Sequence, residues 1–456
     1  MPDGRLYHLP PELAPLAVPE VAARGGLEFA AWQPTPATLD AVASGLIRAA
    51  GALERTLTTS RLVASLGQVA ARWLDRTSPE RAAAERLLPV TTGYAPGMVA
   101  AALDRLFTAL LPDRLSEVLR AEVGHLGAPP RLVLVLAAGT VFPPAIFTAT
   151  AALLLRAPVL VKSASAEPVL APLWAASLAA HDPELARLVA VLSWPRTAAD
   201  LNATAFARAD VVVAYGDTAT IAAVRTALPP ASRLVAHGHK VAAAILAARA
   251  LAADLPGLAR GLACEVALYD QQGCLSPHTV FIEEPAPGVA REFAVQLARE
   301  LALLATRWVR APLDPATASA LRQLLGAREF AATPERAVFG GVEAGYAVLL
   351  DGAAGDARFD FSPLNRTVFV KPIATLAEAI AALVPVREHL QAVGLAVPHR
   401  DRLALARALG LYDDVESNLD WVPRVRLCPV HALQSPPLGW PADGHRPLAS
   451  LSPRLR

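Results

Sequence analysis

The hydrophobic pattern changes character near residue 131. Before it, apolar side chains recur three to four apart, as in Leu39, Val42, Leu46, Ala49, Leu53 and Leu57, the spacing of one helix face. Helices are predicted over 38–75, 79–87, 95–111 and 114–123, after a Pro-rich stretch 1–36 that reads as an arm or edge segment. From 131 onward, short continuous apolar runs alternate with helical periods. They predict strands at 131–137, 158–162, 188–194, 210–215 and 233–236, and helices at 145–155, 167–180, 198–207 and 217–227. Strands apolar on both faces, separated by helices, describe a parallel sheet covered on both sides. A second α/β segment starts near residue 240. It has helices over 249–269, 290–304, 317–325 and 376–383, and strands at 279–282, 338–351 and 367–371. Residues 423–456 are Pro-rich and irregular, a tail that packs on the core or on a neighbouring subunit.

Composition narrows the class. The 456 residues are 54% hydrophobic, enough for two domains or one large one. Lys+Arg number 42 against 41 Asp+Glu, so no basic field invites nucleic acid. Lys162, Lys240 and Lys371 are the only lysines, so each stands out against the arginines. The three cysteines, Cys264, Cys274 and Cys428, are odd in number and form no Cys-x-x-Cys. That argues against a disulfide framework and fits a reducing, cytoplasmic setting. No secretory signal pattern opens the chain. The run 132–155 carries no charge and is long enough to span a bilayer, but Gly139 and Pro143-Pro144 interrupt it. It reads as a buried strand, a loop and a buried helix, with no integral membrane span.

The candidate chemistry lies in loops. Cys274 sits in the polar turn Asp270-Gln271-Gln272-Gly273-Cys274-Leu275-Ser276-Pro277 before a predicted strand, where a thiol has access to a substrate. Lys162 ends a strand and opens the loop Lys162-Ser163-Ala164-Ser165, placed to meet a phosphate or ribose hydroxyl. Gly216 and Asp217 stand between a strand and a helix, a position that suits a phosphate or a helix cap. No Gly-x-Gly-x-x-Gly is present. His237-Gly238-His239 lacks a further ligand cluster and is read as no metal site, and His278 as a surface histidine beside a turn. Ser276 has no Gly-x-Ser-x-Gly context, which argues against a serine hydrolase.

Taken in order, Gly139-Thr140-Val141-Phe142-Pro143-Pro144, Lys162-Ser163-Ala164-Ser165, Tyr215-Gly216-Asp217, His237-Gly238-His239-Lys240 and the Cys274 turn resemble the aldehyde dehydrogenase superfamily. Within it the chain is similar to the acyl-CoA reductases of the LuxC family. The matching stretches include Leu390-Gln391-Ala392-Val393-Gly394-Leu395 and Trp440-Pro441-Ala442-Asp443-Gly444-His445-Arg446-Pro447-Leu448. The resemblance implies an α/β fold with a helical lead-in and nucleotide-binding domain (1–238), a catalytic cysteine domain (239–422) and a C-terminal tail (423–456). It implies Cys274 as acyl-accepting nucleophile, Thr140 near the oxyanion position, and cofactor contacts from Lys162, Ser165, Gly216 and Asp217. It also implies a homo-oligomer.

Departures from the pattern shape the expected reaction. Ala236 stands where hydrolytic relatives carry a glutamate base, which disfavours release of acid and favours reduction. Thr140 replaces an asparagine and reaches less far. Ile221 replaces a glycine, and no carboxylate stands near Lys371 where relatives bind ribose. Ser165 replaces the carboxylate with which NAD-preferring relatives hold ribose, so NADPH is expected, with NADH as the alternative. The expected function is NADPH-dependent reduction of a fatty acyl thioester, from acyl-CoA or an acylated carrier or partner protein, to aldehyde. Two other readings remain open here: a non-catalytic acyl-carrying or scaffold subunit, and a semialdehyde-forming acyl-phosphate reductase.

Overall fold

A computed structural model describes residues 3–137, 139, 141–352, 355, 357–409 and 425–452. They form two compact units. One takes Met1–His239, Pro437–Pro441 and His445–Arg456, and the other takes Lys240–Pro436 and Ala442–Gly444.

The first unit begins with a small sheet of β1 (Gly4–Arg5), β2 (Glu20–Arg24) and β3 (Leu27–Ala31), with β3 in the middle. Helices α1 (Pro36–Leu53), α2 (Thr59–Leu74), α3 (Pro79–Thr92), α4 (Pro96–Thr108) and α5 (Pro112–Glu122) follow. The predicted helical stretch 38–75 is two helices, because Thr58 accepts from Arg61 N and caps a new start. A capping box between Thr35 and Thr38 starts α1, and the apolar face predicted from spacing, Leu39 to Leu53, is the one it buries.

The main sheet of this unit has β4 (Val133–Leu136), β5 (Val159–Lys162), β6 (Val189–Leu192), β7 (Val211–Tyr215) and β8 (Arg233–His237) in the order β6-β5-β4-β7-β8. All four pairings are parallel. Between them run α6 (Pro143–Leu154), α7 (Leu170–His181), α8 (Pro183–Ala186), α9 (Ala199–Arg208) and α10 (Thr218–Ala227). Within the charge-free run 132–155 the described residues form buried strand β4 and helix α6, and no described helix is long and apolar enough to cross a membrane. The strand order reverses between β4 and β7, so the crevice at their carboxyl ends is where such sheets take ligands. Ile221 is buried in this unit's core beside Val212 and Val224, a packing role for the side chain that replaces glycine.

The second unit has seven strands in the order β11-β12-β13-β10-β9-β14-β15. They are β9 (Val241–Leu246), β10 (Pro277–Glu283), β11 (Arg336–Gly341), β12 (Tyr346–Asp351), β13 (Thr367–Ile373), β14 (Leu390–Ala396) and β15 (Arg426–Pro429). Only β11 runs antiparallel, to β12; the predicted strand 338–351 is this hairpin. β9 escapes the apolar-run reading because Ala242-Ala243-Ala244 is weak strand sequence, yet it is buried throughout, between β10 and β14. Helices α11 (Ala248–Ala267), α12 (Val289–Arg307), α13 (Pro315–Phe330), α14 (Leu376–Leu383) and α15 (His399–Ala408) complete the unit. The predicted helix 249–269 breaks at Asp254, which is non-helical and accepts from Gly257 N at 2.9 Å around Pro256.

Candidate active site

Cys274 stands at the head of β10, the middle strand of the second unit's sheet. The turn that delivers it is unusual. After α11 the chain passes through Tyr269, Asp270 and Gln271 at φ of 55°, 50° and 65°. Before β13 a second triplet, Leu364, Asn365 and Arg366, sits at 63°, 57° and 62°. None of the six is glycine, and left-handed backbone costs an L-residue about 1–2 kcal/mol each. Such strain persists only where the surroundings fix it.

Two buried side chains and a half-buried arginine do the fixing. Gln271, fully buried, donates through Nε2 to Pro277 O at 2.9 Å and Thr367 O at 2.8 Å, and its Oε1 accepts from Thr367 N at 2.8 Å. It therefore ties the cysteine turn to the start of β13. Arg366 donates from Nε to Asp270 Oδ1 at 2.8 Å, with Nη2 at 2.6 Å from the same oxygen. Arg310 adds hydrogen bonds to Asn365 O and Val342 O. Burial raises the Asp270 carboxyl above its usual value, against the pull of Arg366 and Arg310. Gly273 leaves no room for a side chain: a Cβ there would meet Gln434 Oε1 at 2.8 Å.

Cys274 is exposed, whereas Cys264 is half-buried and Cys428 buried. Protein packed around its loop strips water from a thiolate, and the Asp443 carboxylate repels one; together they push the thiol up to about 12. Its own backbone N–H and Lys240 pull the other way. Exposure decides whether a substrate can reach the sulfur, and desolvation decides how readily the sulfur ionises. Lys240 Nζ donates to Glu388 O at 2.7 Å and lies 3.4 Å from Asp443 Oδ1. Asp443 is itself left-handed, at φ 56°.

His278 is not a surface residue. It is buried beneath the turn, where its Nδ1 accepts from Ser362 N at 3.0 Å and its ring stacks on Phe359. A histidine two residues into a central strand has both faces covered, which the turn-like sequence around it concealed. Ser276 is likewise buried. Lys371 is buried between Asp351 and Asp360, at 2.6 Å and 2.5 Å, so it is spent on a structural ion cluster. Thr140, expected near the oxyanion, lies outside the described residues.

The remaining expected residues belong to the first unit, at the carboxyl ends of its strands. Lys162 closes β5 with Nζ over the Trp194 ring, 5.4 Å from its centroid. Burial and nearby Arg196 lower its pKa below the ordinary lysine value. Ser165 is exposed, and its carbonyl accepts from Arg24 Nη1 at 2.7 Å. Glu167, two residues on, is the one carboxylate of this loop. It turns inward, accepting from Val169 N and Leu170 N at 2.7 and 2.8 Å, and burial pushes it up to about 6.

Gly216 directly follows β7, and a Cβ there would meet Thr220 Cγ2 at 2.9 Å. Asp217 accepts from Thr220 N at 2.7 Å and caps α10. Arg196, after β6, is within electrostatic reach of both Lys162 and Asp217. Sequence reading missed it, although Trp194-Pro195-Arg196 follows a predicted strand as the Lys162 loop does. Tyr215 stacks on His237 at 4.7 Å, bonds Thr148 Oγ1 at 2.7 Å, and His445 meets His237 edge-on. Among the described residues no group of three or more His, Cys, Asp or Glu is arranged to hold a metal ion.

A search of curated proteins finds no match. Solved structures do match in fold. The chain is similar to the NADP-dependent glyceraldehyde-3-phosphate dehydrogenase from Bacillus halodurans, at 15% identity over 90% of this chain and 87% of that one, with a TM-score of 0.62. It is similar to an NAD-dependent benzaldehyde dehydrogenase from Corynebacterium glutamicum, at 15% identity over 90% of each chain and a TM-score of 0.65. It is also similar to a salicylaldehyde dehydrogenase from Pseudomonas putida, at 12% identity over 93% and 89%, with a TM-score of 0.66. The fold is thus that of the aldehyde dehydrogenases. The family model described as "Acyl-CoA reductase (LuxC)" matches residues 55–454. With that match running through both units and the cysteine turn, the chain belongs to the LuxC family of acyl-CoA reductases, an oxidoreductase family.

Proposed function

We propose that this enzyme reduces a fatty acyl thioester, acyl-CoA or an acyl group on a carrier protein, to the aldehyde through a thioester on Cys274, with NADPH as reductant. The observation that carries the reading is the Cys274 turn: an exposed sulfur on a strained loop that buried hydrogen bonds hold fixed at the head of a central strand. Strain of that kind concentrates at functional sites. Sγ bonds to the thioester carbonyl carbon, and the donor's C–S bond breaks, releasing the carrier thiol. A thioester is far easier to reduce than a carboxylate, and NADPH would supply the hydride. Collapse then breaks the bond to Sγ and frees the aldehyde and the thiol.

The choice of NADPH rests on charge. Lys162, at the end of β5, and Arg196, after β6, are two cations within electrostatic reach of each other, and Glu167, the loop's carboxylate, is turned inward where it cannot hold a ribose diol. Like charges brought together suit a 2′-phosphate. Ala236 leaves the position of a hydrolytic base empty of a carboxylate, so the thioester is spared water.

The test is mass spectrometry of the enzyme mixed with an acyl-CoA. An adduct of acyl mass on Cys274 and loss of aldehyde formation in Cys274→Ala are expected. A Cys274→Ala protein that still makes aldehyde would sink the proposal.

A further inference from the structure

We infer that Gln434 is a positioning residue for acyl transfer: its carboxamide clamps both ends of the strained cysteine turn and so fixes where the Cys274 sulfur stands. The inference deepens the proposed function, on whose reading of Cys274 as nucleophile it rests. All the parts lie in the second unit. Gln434 follows β15 and is buried. Its Nε2 donates to Glu265 O at 2.7 Å and to Leu268 O at 3.3 Å. These carbonyls belong to the last turn and the C-cap of α11, where a helix leaves acceptors to outside partners. Leu268 is also the residue just before the left-handed triplet Tyr269-Asp270-Gln271. At the far end of the turn, Gln434 Oε1 lies 2.8 Å from the point a Cβ of Gly273 would occupy. One carboxamide therefore holds the entry to the turn through its two N–H groups and packs its oxygen against the residue before Cys274.

Gly273 is not among the glycines at positive φ. What excludes a side chain there is the space that Gln434 fills. The clamp is itself supported by bonds that do not involve the Gln434 side chain. Gln434 N donates to Oε2 of the fully buried Glu265 at 2.6 Å. Arg426 donates from Nη1 to Ala432 O and Leu433 O at 2.9 Å, and from Nη2 to Ser435 O at 3.0 Å. Replacing the side chain thus removes the clamp and leaves its backbone in place. Attack on a thioester needs Sγ about 3–3.5 Å from the carbonyl carbon in one direction, and a misplacement of about 1 Å costs up to about a hundredfold in rate. A small alkylating reagent, which the sulfur meets from solvent, makes no such demand.

The test uses the full-length enzyme and two readouts. One is aldehyde formation from an acyl-CoA with NADPH; the other is alkylation of Cys274 by iodoacetamide, followed by peptide mass. Gln434→Ala is expected to lower kcat between about tenfold and a hundredfold, with KM for the acyl-CoA and the alkylation rate each within about threefold. Gly273→Ala, which drives a methyl group into the carboxamide, should lower kcat by a similar factor. In the double variant the methyl enters the vacated space, so its loss should not exceed that of the worse single variant. Gln434→Met keeps the volume without the N–H groups, and gives the same single-variant readings should Gln434→Ala fail to fold. A native kcat in the Gln434 variants, a loss carried by KM alone, or alkylation falling as far as kcat overturns the inference. So does a double variant whose loss is the product of the two single losses. Failure of the proposed function is a different result: aldehyde formation that survives Cys274→Ala.

Discussion

Arg196 carries a sharp prediction for cofactor choice. It stands after β6, within electrostatic reach of Lys162, and in the proposed reading is the second cation that meets the 2′-phosphate. Arg196→Ala is expected to weaken NADPH binding about tenfold, or about 1.4 kcal/mol, and to leave NADH binding within about twofold. Quenching of intrinsic tryptophan fluorescence measures both without turnover. Equal loss for the two nucleotides would mean that Arg196 does not read the 2′-phosphate. Part of this site was legible in the sequence and part was not. Cys274, Lys162 and Gly216 announce themselves by standing at the ends of apolar runs. Arg196 stands in the same kind of place, but one arginine among many gives no contrast, whereas one lysine of three does. Gln434 lies far along the chain from Cys274, and only the fold brings its carboxamide against Gly273.

At the scale of elements, the cysteine turn and the Leu364-Asn365-Arg366 turn are a matched pair, each left-handed and each stitched to the other by buried side chains. No composition rule foretells six such residues without a glycine, because the strain is imposed by tertiary hydrogen bonds. The main strands were readable because burial on both faces makes them continuously apolar. β9 was not, since alanine satisfies burial without favouring a strand. The stitching can be tested directly. Arg366→Met leaves the Asp270 carboxylate buried beside Arg310 alone, and a broken buried pair costs about 3–5 kcal/mol. A lowered midpoint in urea unfolding of that size is expected, and the double variant Asp270→Asn with Arg366→Met should recover part of it. A double variant less stable than the sum of the singles would show that the pair is not the source of the loss.

For the whole molecule, acid is the condition to watch. His8 bonds its backbone to Val191, extending the first unit's sheet at β6, and its side chain is half-buried, with Nε2 shut away from solvent. Burial, with Arg5 nearby, lowers its pKa to about 4. Between that value and the ordinary histidine value the unfolded chain binds a proton that the folded chain does not. Stability is therefore lost as pH falls from about 6.5 towards 4, by about 3 kcal/mol in all. His8→Leu should flatten that limb of the stability curve, read as urea midpoints between pH 7 and pH 4.5. An unchanged slope would mean that His8 is not the group being protonated.

The path of the last described residues has an engineering consequence. Leu448 N and Ala449 N donate to the buried Glu122 carboxylate, and Ser452 Oγ to Gly127 O and Ala128 O, in the first unit. Gly444 and its two predecessors are counted with the second. Neither unit is a cassette with two ends of its own. A chimaera that exchanges the nucleotide-binding portion at His239 must carry the donor's residues 437–441 and 445–452 with it, yet keep the recipient's 442–444 beside its own cysteine. Recombination within such a family is thus confined to exchanges made at four junctions together, and single crossovers yield mismatched cores.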